Sequence, residues 1–235
     1  MGQKVNPIAF RTGINEDWKS RWYAPKGEFA TLLVEDQKIR AFVNKHPTQN
    51  YKAAGIDRVE IERTRDEVKV TLFVARPGLI IGKKGQEVER LQNEMQNLIG
   101  RRINLKVEEV ARPDMQAQLV AVKIAEQLSR RASFRRTMKR AAEETMSAGA
   151  KGVKIQLAGR LGGAEMARRE KEISGSIPLS TIRAKISHGF TEAMTPQGHI
   201  GIQVWINQGN YGDETNGSDA EKGQASKGPK RAYKR

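Results

Sequence analysis

Cysteine is absent from this chain of 235 residues, and its absence removes three kinds of chemistry. A chain without thiols has no disulfides, no Cys-ligated zinc or iron–sulfur site and no thiol catalysis. Histidine is almost as rare, and His46, His188 and His199 are too scattered in the sequence to predict a metal site. We therefore expect neither a metal nor another cofactor.

Long apolar runs are missing as well. No stretch approaches the roughly 20 consecutive apolar residues that a membrane-spanning helix needs. The N-terminus, MGQKVNPIAF, lacks the apolar segment of a secretory signal. The sequence therefore predicts a soluble, intracellular protein.

Acidic residues are few compared with basic ones. The chain has 42 Lys and Arg against 27 Asp and Glu, which gives a formal net charge of +15. Such an excess makes a polyanion the default partner. Residues 112–207 are the most polarised section, with 16 basic and 8 acidic residues. Contacts with nucleic acid are therefore expected there, as well as at the glycine loop of residues 82–85.

Apolar periodicity predicts the elements of the first half of the chain. Helical spacing changes to strand alternation and back again, and each change marks a boundary between elements. The predicted order is a helix over 28–43, a hairpin with strands at 59–61 and 68–74, a helix over 88–99 and a strand over 103–107.

The second half of the chain has a different order. We expect helices over 114–128 and 130–147, a strand over 153–157, a glycine-rich turn into a short helix over 164–170, and a hairpin with strands at 182–186 and 200–206. Two α/β domains joined near Arg112 account for both halves. The predicted segments are an N-terminal arm over 1–15, a first domain over 16–111, a second domain over 112–207 and a disordered basic tail over 208–235.

The first domain contains the loop GKKG, which comprises Gly82, Lys83, Lys84 and Gly85. It is not a P-loop, because Gly78 and Gly82 are one residue too close and Lys84 stands where a Ser or Thr would hold magnesium. It fits the GXXG loop of a KH module, which clamps about four nucleotides. Glycines let the backbone approach a sugar–phosphate chain, and the lysines add charge without reading sequence. The alternative is a surface turn with two solvated lysines.

A run of six basic residues without any acidic one lies in the second domain. Between Glu126 and Glu143 the basic residues are Arg130, Arg131, Arg135, Arg136, Lys139 and Arg140. On a helix, apolar residues from Phe134 to Thr145 form one face, and the cations occupy the adjoining band. Solvated helix faces normally mix the signs of charge, so we predict contact with nucleic acid here. A solvated surface helix is the alternative.

Several segments of the sequence resemble one known family. They are GQKVNP, ARPGLIIGKKG, GRLGGAEMAR, IPLSTIRA, and the pair GVKIQL and IGIQVWI. In consistent order they are similar to the bacterial-type S-three family of ribosomal proteins, the third protein of the small subunit. The similarity covers about residues 1 to 208, and the tail beyond has no recognisable counterpart.

The resemblance implies an α+β fold, with an N-terminal type II KH domain (αββααβ) followed by a second α+β domain that carries a basic helical layer on a small sheet. It implies a structural role in the small ribosomal subunit, where such a protein binds ribosomal RNA in the head. In the family, the matching basic helix lines the entrance for messenger RNA and has been associated with opening structured messenger without nucleotide hydrolysis. The match assigns this role to Arg130, Arg131, Arg135, Arg136, Lys139 and Arg140.

Further contacts and neighbours are expected. Arg160, Arg168 and Arg169 become second-tier contacts, because the family's matching region lies against ribosomal RNA. Lys4 and Arg11 are expected either to lie along RNA as an extended arm or to be solvated. The implied protein neighbours are S-two, S-ten and S-fourteen in the head and S-four and S-five at the entrance. A cytoplasmic ribosome is expected, with an organellar ribosome as the alternative.

Two other functions remain open from the sequence. A free-standing KH regulator or a ribosome assembly factor would also bind RNA, although a second KH repeat is missing. A nuclease or an RNA-dependent NTPase would need a metal cluster or a P-loop, and the sequence predicts neither. No catalytic constellation can be argued, so we expect no enzymatic activity.

Overall fold

The computed structural model describes residues 4–45, 54–64, 67–82 and 85–211. Its α-helices are α1 (Pro7–Arg11), α2 (Lys26–Lys45), α3 (Pro77–Ile81), α4 (Gln86–Ile99), α5 (Ala117–Ser129) and α6 (Phe134–Ser147). Its strands are β1 (Ser20–Arg21), β2 (Ile56–Arg63), β3 (Glu67–Val74), β4 (Arg102–Glu109), β5 (Gly152–Gly159), β6 (Arg168–Gly175), β7 (Ala184–Thr195) and β8 (Gly198–Asn210). Within these ranges, no helix is long and apolar enough to cross a membrane.

The first sheet has the strand order β1-β2-β3-β4. Strands β2 and β3 are antiparallel, and each outer strand runs parallel to its neighbour. From α2 to β4 the chain follows helix, strand, strand, helix, helix, strand, as the family resemblance implies. The short helix α3 was not predicted from apolar periodicity. Alternate residues of the hairpin pack against α2 and α4, and the buried cluster includes Ile39, Val59, Ile61, Val68, Val70, Leu72, Leu91 and Met95.

The second sheet has the order β6-β5-β8-β7, and all its neighbouring strands are antiparallel. Helices α5 and α6 pack on one side of it. Their apolar residues meet a buried set of β-branched and leucine side chains: Val153, Ile155, Leu157, Ile202, Val204 and Ile206. The predicted strand at 153–157 and the final hairpin are confirmed, and so is the α+β fold class.

The N-terminal segment is docked on the second domain instead of extending as an arm. The side chain of Asn6 caps α1 by accepting the Ile8 N–H at 2.9 Å, and α1 packs against β7. Arg11 is fully buried, and its guanidinium donates to the carbonyl oxygens of Thr181 and Ala184, both at 2.7 Å. The predictions that Arg11 contacts RNA or is solvated are both wrong, because its donors are used inside the protein.

Two elements of the second domain differ from the prediction. Helix α6 begins at Phe134, so residues 130–133 form a turn after α5 and do not belong to the second helix. Residues 164–170 were predicted as a short helix, but the chain enters strand β6 within this range. Gly162 and Gly163 have φ values of 68° and 82°, which glycine tolerates, and they turn the chain back along β5. An edge strand therefore replaces the predicted helix.

The predicted tail also begins later than expected. Strand β8 continues to Asn210, three residues into the segment predicted to be disordered. The hydroxyl of Tyr211 then donates to the Glu16 carboxylate at 2.8 Å, which joins the end of the second domain to the N-terminal segment. The remainder of the predicted tail, residues 212–235, lies outside the described residues.

Candidate RNA interface

The glycine loop lies between α3 and α4, where the GXXG hypothesis places it. Gly82 and Gly85 have φ values of 67° and 79°, and a Cβ on Gly82 would overlap the side chain of Glu87. Both positions therefore need glycine on structural grounds. Lys83 and Lys84 lie outside the described residues. The RNA-binding role of this loop stays a prediction.

Acidic residues accompany the start of α4. Glu87 and Glu89 lie in its first turn, and Gly85 at the N-cap has no side chain to bond the free amides. Carboxylates at this position stabilise the helix through its dipole, but they also compete with a phosphate for the same positive potential. Any anion held by this loop would depend on the backbone of the glycines and on the two lysines.

The turn between α5 and α6 carries the first two residues of the basic run. Arg130 is the C-cap of α5, and Arg131 has a φ of 62°, the single positive φ among the described residues other than glycine. The Arg131 N–H donates to the Leu128 carbonyl at 2.9 Å, and the Ala132 N–H donates to the Gln127 carbonyl at 3.1 Å. These bonds close the helix end and fix the turn that presents both side chains.

Helix α6 separates its apolar and cationic residues as predicted. Met138, Ala141 and Thr145 are buried against the core, whereas the basic side chains on the adjoining band are exposed. These basic residues are Arg135, Arg136, Lys139 and Arg140. The helix start has no acidic residue in its first turn, and the side chain of Ser133 makes no capping bond. Its free amides and its cations therefore favour an anion together.

The six cations are not equivalent. Arg140 donates from Nε to Glu144 at 2.9 Å, and Lys123 of α5 pairs with the same carboxylate at 2.6 Å. The hydrogen bond from Lys123 lowers the pKa of Glu144 from its ordinary value, with a further contribution from Arg140. Arg140 is thus engaged within the protein. By contrast, five cations make no ion pair or side-chain hydrogen bond with any described residue. Arg135 lies against the ring of Phe134, and the other four are Arg130, Arg131, Arg136 and Lys139.

A row of carboxylates faces the cations of α6. Glu170 and Glu172 of β6, with Glu143 of α6 itself, line a groove that also contains five cations: Arg135, Arg136, Lys139, Arg140 and Lys171. This row of carboxylates was not predicted from the sequence, because residues 164–170 were expected to form a helix. The alternation of residues 169–172 between cations and carboxylates, followed by Ile173, is a strand signal that is compatible with this arrangement. Carboxylates there weaken the positive potential on that side of α6 and leave the turn side the more cationic.

Arg168 lies close to the same helix. Its guanidinium is 5.5 Å from the ring centre of Phe134, and the guanidinium of Arg135 is 5.7 Å from the same ring. Arg168 also pairs with Glu170 at 3.3 Å. The structure therefore brings Arg168 together with the first turn of α6, which sequence spacing did not indicate.

The other second-tier residues are dispersed. Arg160 donates to the carbonyls of Ala164 at 2.8 Å and Gln197 at 3.2 Å, so it braces the turn before β6 against the β7–β8 hairpin. Arg169 is exposed on β6, and Lys4 is exposed before α1. In the part of the chain that the structure describes, no group of three or more His, Asp or Glu could hold a metal ion.

Comparison with known proteins covers both domains. The family model for the KH domain matches residues 38–115, and the model for the C-terminal domain of ribosomal protein S3 matches residues 124–206. A protein of Rhodopirellula baltica named small ribosomal subunit protein uS3 is 75% identical, over 100% of both chains. Proteins of the same name from Campylobacter concisus and Desulfatibacillum aliphaticivorans are 51% and 50% identical over 89% of this chain, and over 88% and 94% of their own lengths.

Proposed function

The chain belongs to the uS3 family of small ribosomal subunit proteins, and from this premise we propose that its α5–α6 turn and α6 bind messenger RNA. As a member of that family it is a structural constituent of the small ribosomal subunit, associates with ribosomal RNA and acts in translation, and it is not an enzyme. The free-standing regulator is not carried forward, because the relatives match this chain over most or all of its length.

The unpaired cations carry the proposal. Arg130, Arg131, Arg136 and Lys139 have no carboxylate partner among the described residues, although the same domain contains eight acidic residues. An exposed ion pair contributes little to stability. A row of cations without carboxylate partners, by contrast, concentrates positive electrostatic potential on one part of the surface. Arg136 lies in the first turn of α6, where the positive end of the helix dipole repels its charge. A phosphate bound at that end would offset this repulsion.

The rigidity of the turn favours binding to a passing strand. The backbone bonds of the turn fix Arg130 and Arg131, and the buried face of α6 fixes the helix behind them. Contacts with phosphates hold a strand without reading its sequence, which suits a messenger of any sequence. Because single strands and duplexes compete for the same cations, tighter binding of the single strand would lower the free energy of the melted form. This opening requires no nucleotide hydrolysis.

The remaining contacts divide between the domains. We propose ribosomal RNA as the partner of the Gly82–Gly85 loop and of Lys4, Arg160, Arg168 and Arg169, with Arg160 already partly engaged. We also propose the division into domains at 16–111 and 112–207, with the N-terminal segment docked on the second. The proteins S-two, S-ten and S-fourteen, with S-four and S-five at the entrance, are proposed neighbours in a cytoplasmic ribosome.

A salt titration of RNA binding tests the messenger site. The variant combines Arg130→Gln, Arg131→Asn, Arg136→Gln and Lys139→Gln, with Asn at 131 because it tolerates a positive φ. Each phosphate contact contributes about −0.7 to the slope of log affinity against log salt for single strands. We expect the slope for an unstructured 12-nucleotide RNA to flatten by roughly 2 to 3 units.

The control removes the same number of charges from cations that already have carboxylate partners. These are Arg21, Lys69, Arg102 and Lys106, each changed to Gln. We expect this control to flatten the slope by less than about 1 unit. If the α5–α6 variant and the native protein have equal salt slopes, the four substituted cations do not contact RNA. The proposed messenger site would then be wrong.

A further inference from the structure

The second sheet has one covered side and one open side. Side chains of directly paired residues point to the same side of a sheet, so the register identifies both sides. Ile155 pairs with Val204, and both are buried under the helices. Lys154 pairs with Trp205, and Gln156 pairs with Gln203. These residues are next to the buried ones in sequence, so their side chains point to the opposite side of the sheet. The open sheet face is the surface formed by Lys154, Gln156, Lys171, Ile173, His188, Phe190, Gln203 and Trp205.

Pairing across all four strands brings these residues into two rows. In the first row, Lys154 and Trp205 lie between Ile173 and His188. In the second row, Gln156 and Gln203 lie between Lys171 and Phe190. The residues come from β6, β5, β8 and β7, so neither row is visible as a motif in the sequence.

Aromatic rings on this face remain accessible. The Phe190 side chain is 49% exposed, although it lies in the middle of a strand. The rings of Trp205 and His188 are 5.3 Å apart at 44°, and Lys154 Nζ lies 4.7 Å from the centre of the indole. Burial and the nearby charge of Lys19 lower the pKa of His188 from its ordinary value, which keeps the imidazole neutral at physiological pH. Neutral rings beside cations suit the stacking of bases.

The charges on this face have one predominant sign. Lys154, Lys171 and Arg169 make no ion pair with any described residue. The strand alternation directs Glu170 and Glu172 to the α6 side of β6, away from the open sheet face. Among the described residues, a single carboxylate lies on this face: Glu192 of β7, which is paired with Gly201 of β8 and lies 4.0 Å from His199. The face is therefore complementary to a negatively charged ligand that also presents flat apolar surfaces.

We propose that the open sheet face binds an unpaired stretch of RNA, with bases stacked on Trp205 and Phe190 and phosphates held by Lys154 and Lys171. This inference rests on the proposed role in RNA binding and adds a second surface to it. Four strands about 4.8 Å apart make a platform roughly 14 Å wide. Four-stranded sheet modules of this kind stack about two or three bases. The glutamines between the rings and the lysines offer donors and acceptors to base edges.

A photo-crosslinker at the centre of the face identifies what lies on it. Gln203 is replaced by a benzophenone amino acid in the full chain, and assembled small subunits are irradiated. We expect the crosslinked chain to carry ribosomal RNA. Crosslinks to a ribosomal protein alone, or no crosslink to RNA, would overturn the proposal. A crosslinker at the exposed Lys26 of α2 in the first domain serves as the matched position.

Binding measurements separate this surface from the α5–α6 site. In the full-length protein that already carries the four α5–α6 substitutions, Phe190→Ala removes one exposed ring. We expect the affinity for an unstructured 6-nucleotide RNA to fall by about 5-fold or more. The double change Lys154→Gln with Lys171→Gln should flatten the salt slope by about 1.4 units. The control changes the exposed Lys26 and Lys38 to Gln.

The outcomes of the two sites are distinguishable. If the α5–α6 substitutions weaken binding and the changes on the open sheet face do not, the messenger site holds and the second surface fails. If only the changes on the open sheet face weaken binding, the second surface holds and the messenger site fails. If neither the α5–α6 substitutions nor the changes on the open sheet face alter the RNA affinity or the salt slope, both proposed binding sites are wrong.

Discussion

We expect the substitution Arg11→Lys to destabilise the protein even though it preserves the charge. The Arg11 guanidinium reaches five carbonyls in different directions. Nε donates to Ala184 at 2.7 Å, Nη1 to Pro7 at 3.0 Å, and Nη2 to Thr181, Leu179 and Pro178 at 2.7, 3.2 and 3.5 Å. An ammonium group has three donors on one atom and cannot span this set. At least two buried carbonyls would then lose their donor.

The magnitude follows from these lost bonds. A hydrogen bond to a charged group contributes about 1.5–3 kcal/mol, so two of them would amount to roughly 3–6 kcal/mol if they were independent. They share one side chain and are not additive, and lysine regains part of the interaction. We therefore expect the free energy of unfolding to fall by about 2–4 kcal/mol. For a chain of this size that corresponds to a drop in Tm of roughly 4–16 °C.

The assay combines urea unfolding with hydrogen exchange. The exchange of the α1 amides should accelerate in the Arg11→Lys variant, because the segment loses its attachment to the second domain. The matched control is Lys4→Arg, the reverse exchange at an exposed position of the same segment, which should change stability by less than about 0.5 kcal/mol. If the Arg11→Lys substitution lowers the free energy of unfolding by less than about 1 kcal/mol, the hydrogen bonds of the Arg11 guanidinium do not hold the N-terminal segment on the second domain.

Three further changes test other contacts. Arg63→Met should lower the free energy of unfolding by about 3–5 kcal/mol in urea titration, because it leaves the buried carboxylate of Asp36 without the guanidinium that now donates to it at 2.7 Å. Gly189→Ala should cost about 1–3 kcal/mol by the same measurement, because its Cβ would overlap the carbonyl oxygen of Ala117. Burial lowers the pKa of His188, so below about pH 6.5 the unfolded chain binds more protons than the folded one and stability falls. The drop in Tm between pH 7.5 and 5.5 should therefore be smaller in His188→Gln than in the native protein.

Each change has a matched control in the chain. Arg102→Met removes an exposed arginine, Gly78→Ala adds a Cβ that meets no atom within 4 Å, and His199→Gln removes an exposed histidine. A control that loses as much stability as its partner would show that burial or packing is not the cause. For the histidine pair, equal pH dependence in both variants would contradict the assigned role of His188.

Local periodicity was sufficient to predict most elements of both domains. Residues 153–157 alternate between apolar and polar, and Val153, Ile155 and Leu157 are all fully buried in β5. The apolar spacing of α6 likewise identified its buried face. Such patterns are legible in one sequence because each element exposes one side to water and buries the other. They also placed the glycine loop directly before a helix and the basic run on a surface, whereas the short helix α3 before the loop was implied only by the family resemblance.

Element boundaries were harder to predict where turns decide them. Arg131 adopts a left-handed conformation that ends α5, and no local signal in a run of arginines announces it. The strand β6 begins after a turn whose glycines suit several conformations, and it pairs with β5 from the edge of the sheet. The alternation of residues 169–172 is compatible with a strand, but strand pairing is a long-range interaction, so the sequence does not show that this strand pairs with β5.

The sequence by itself determined the period of each element, the excess of positive charge and the residues able to form a cationic row. Only the tertiary structure decided which cations are engaged within the protein by distant segments. Arg11 is buried by carbonyls about 170 residues away in the chain, and Lys123 of α5 pairs with Glu144 of α6. Strand register also decided that Trp205 and Phe190 share an open surface with two lysines. Periodicity specifies which side of an element faces the core, whereas partners are set by packing between distant segments.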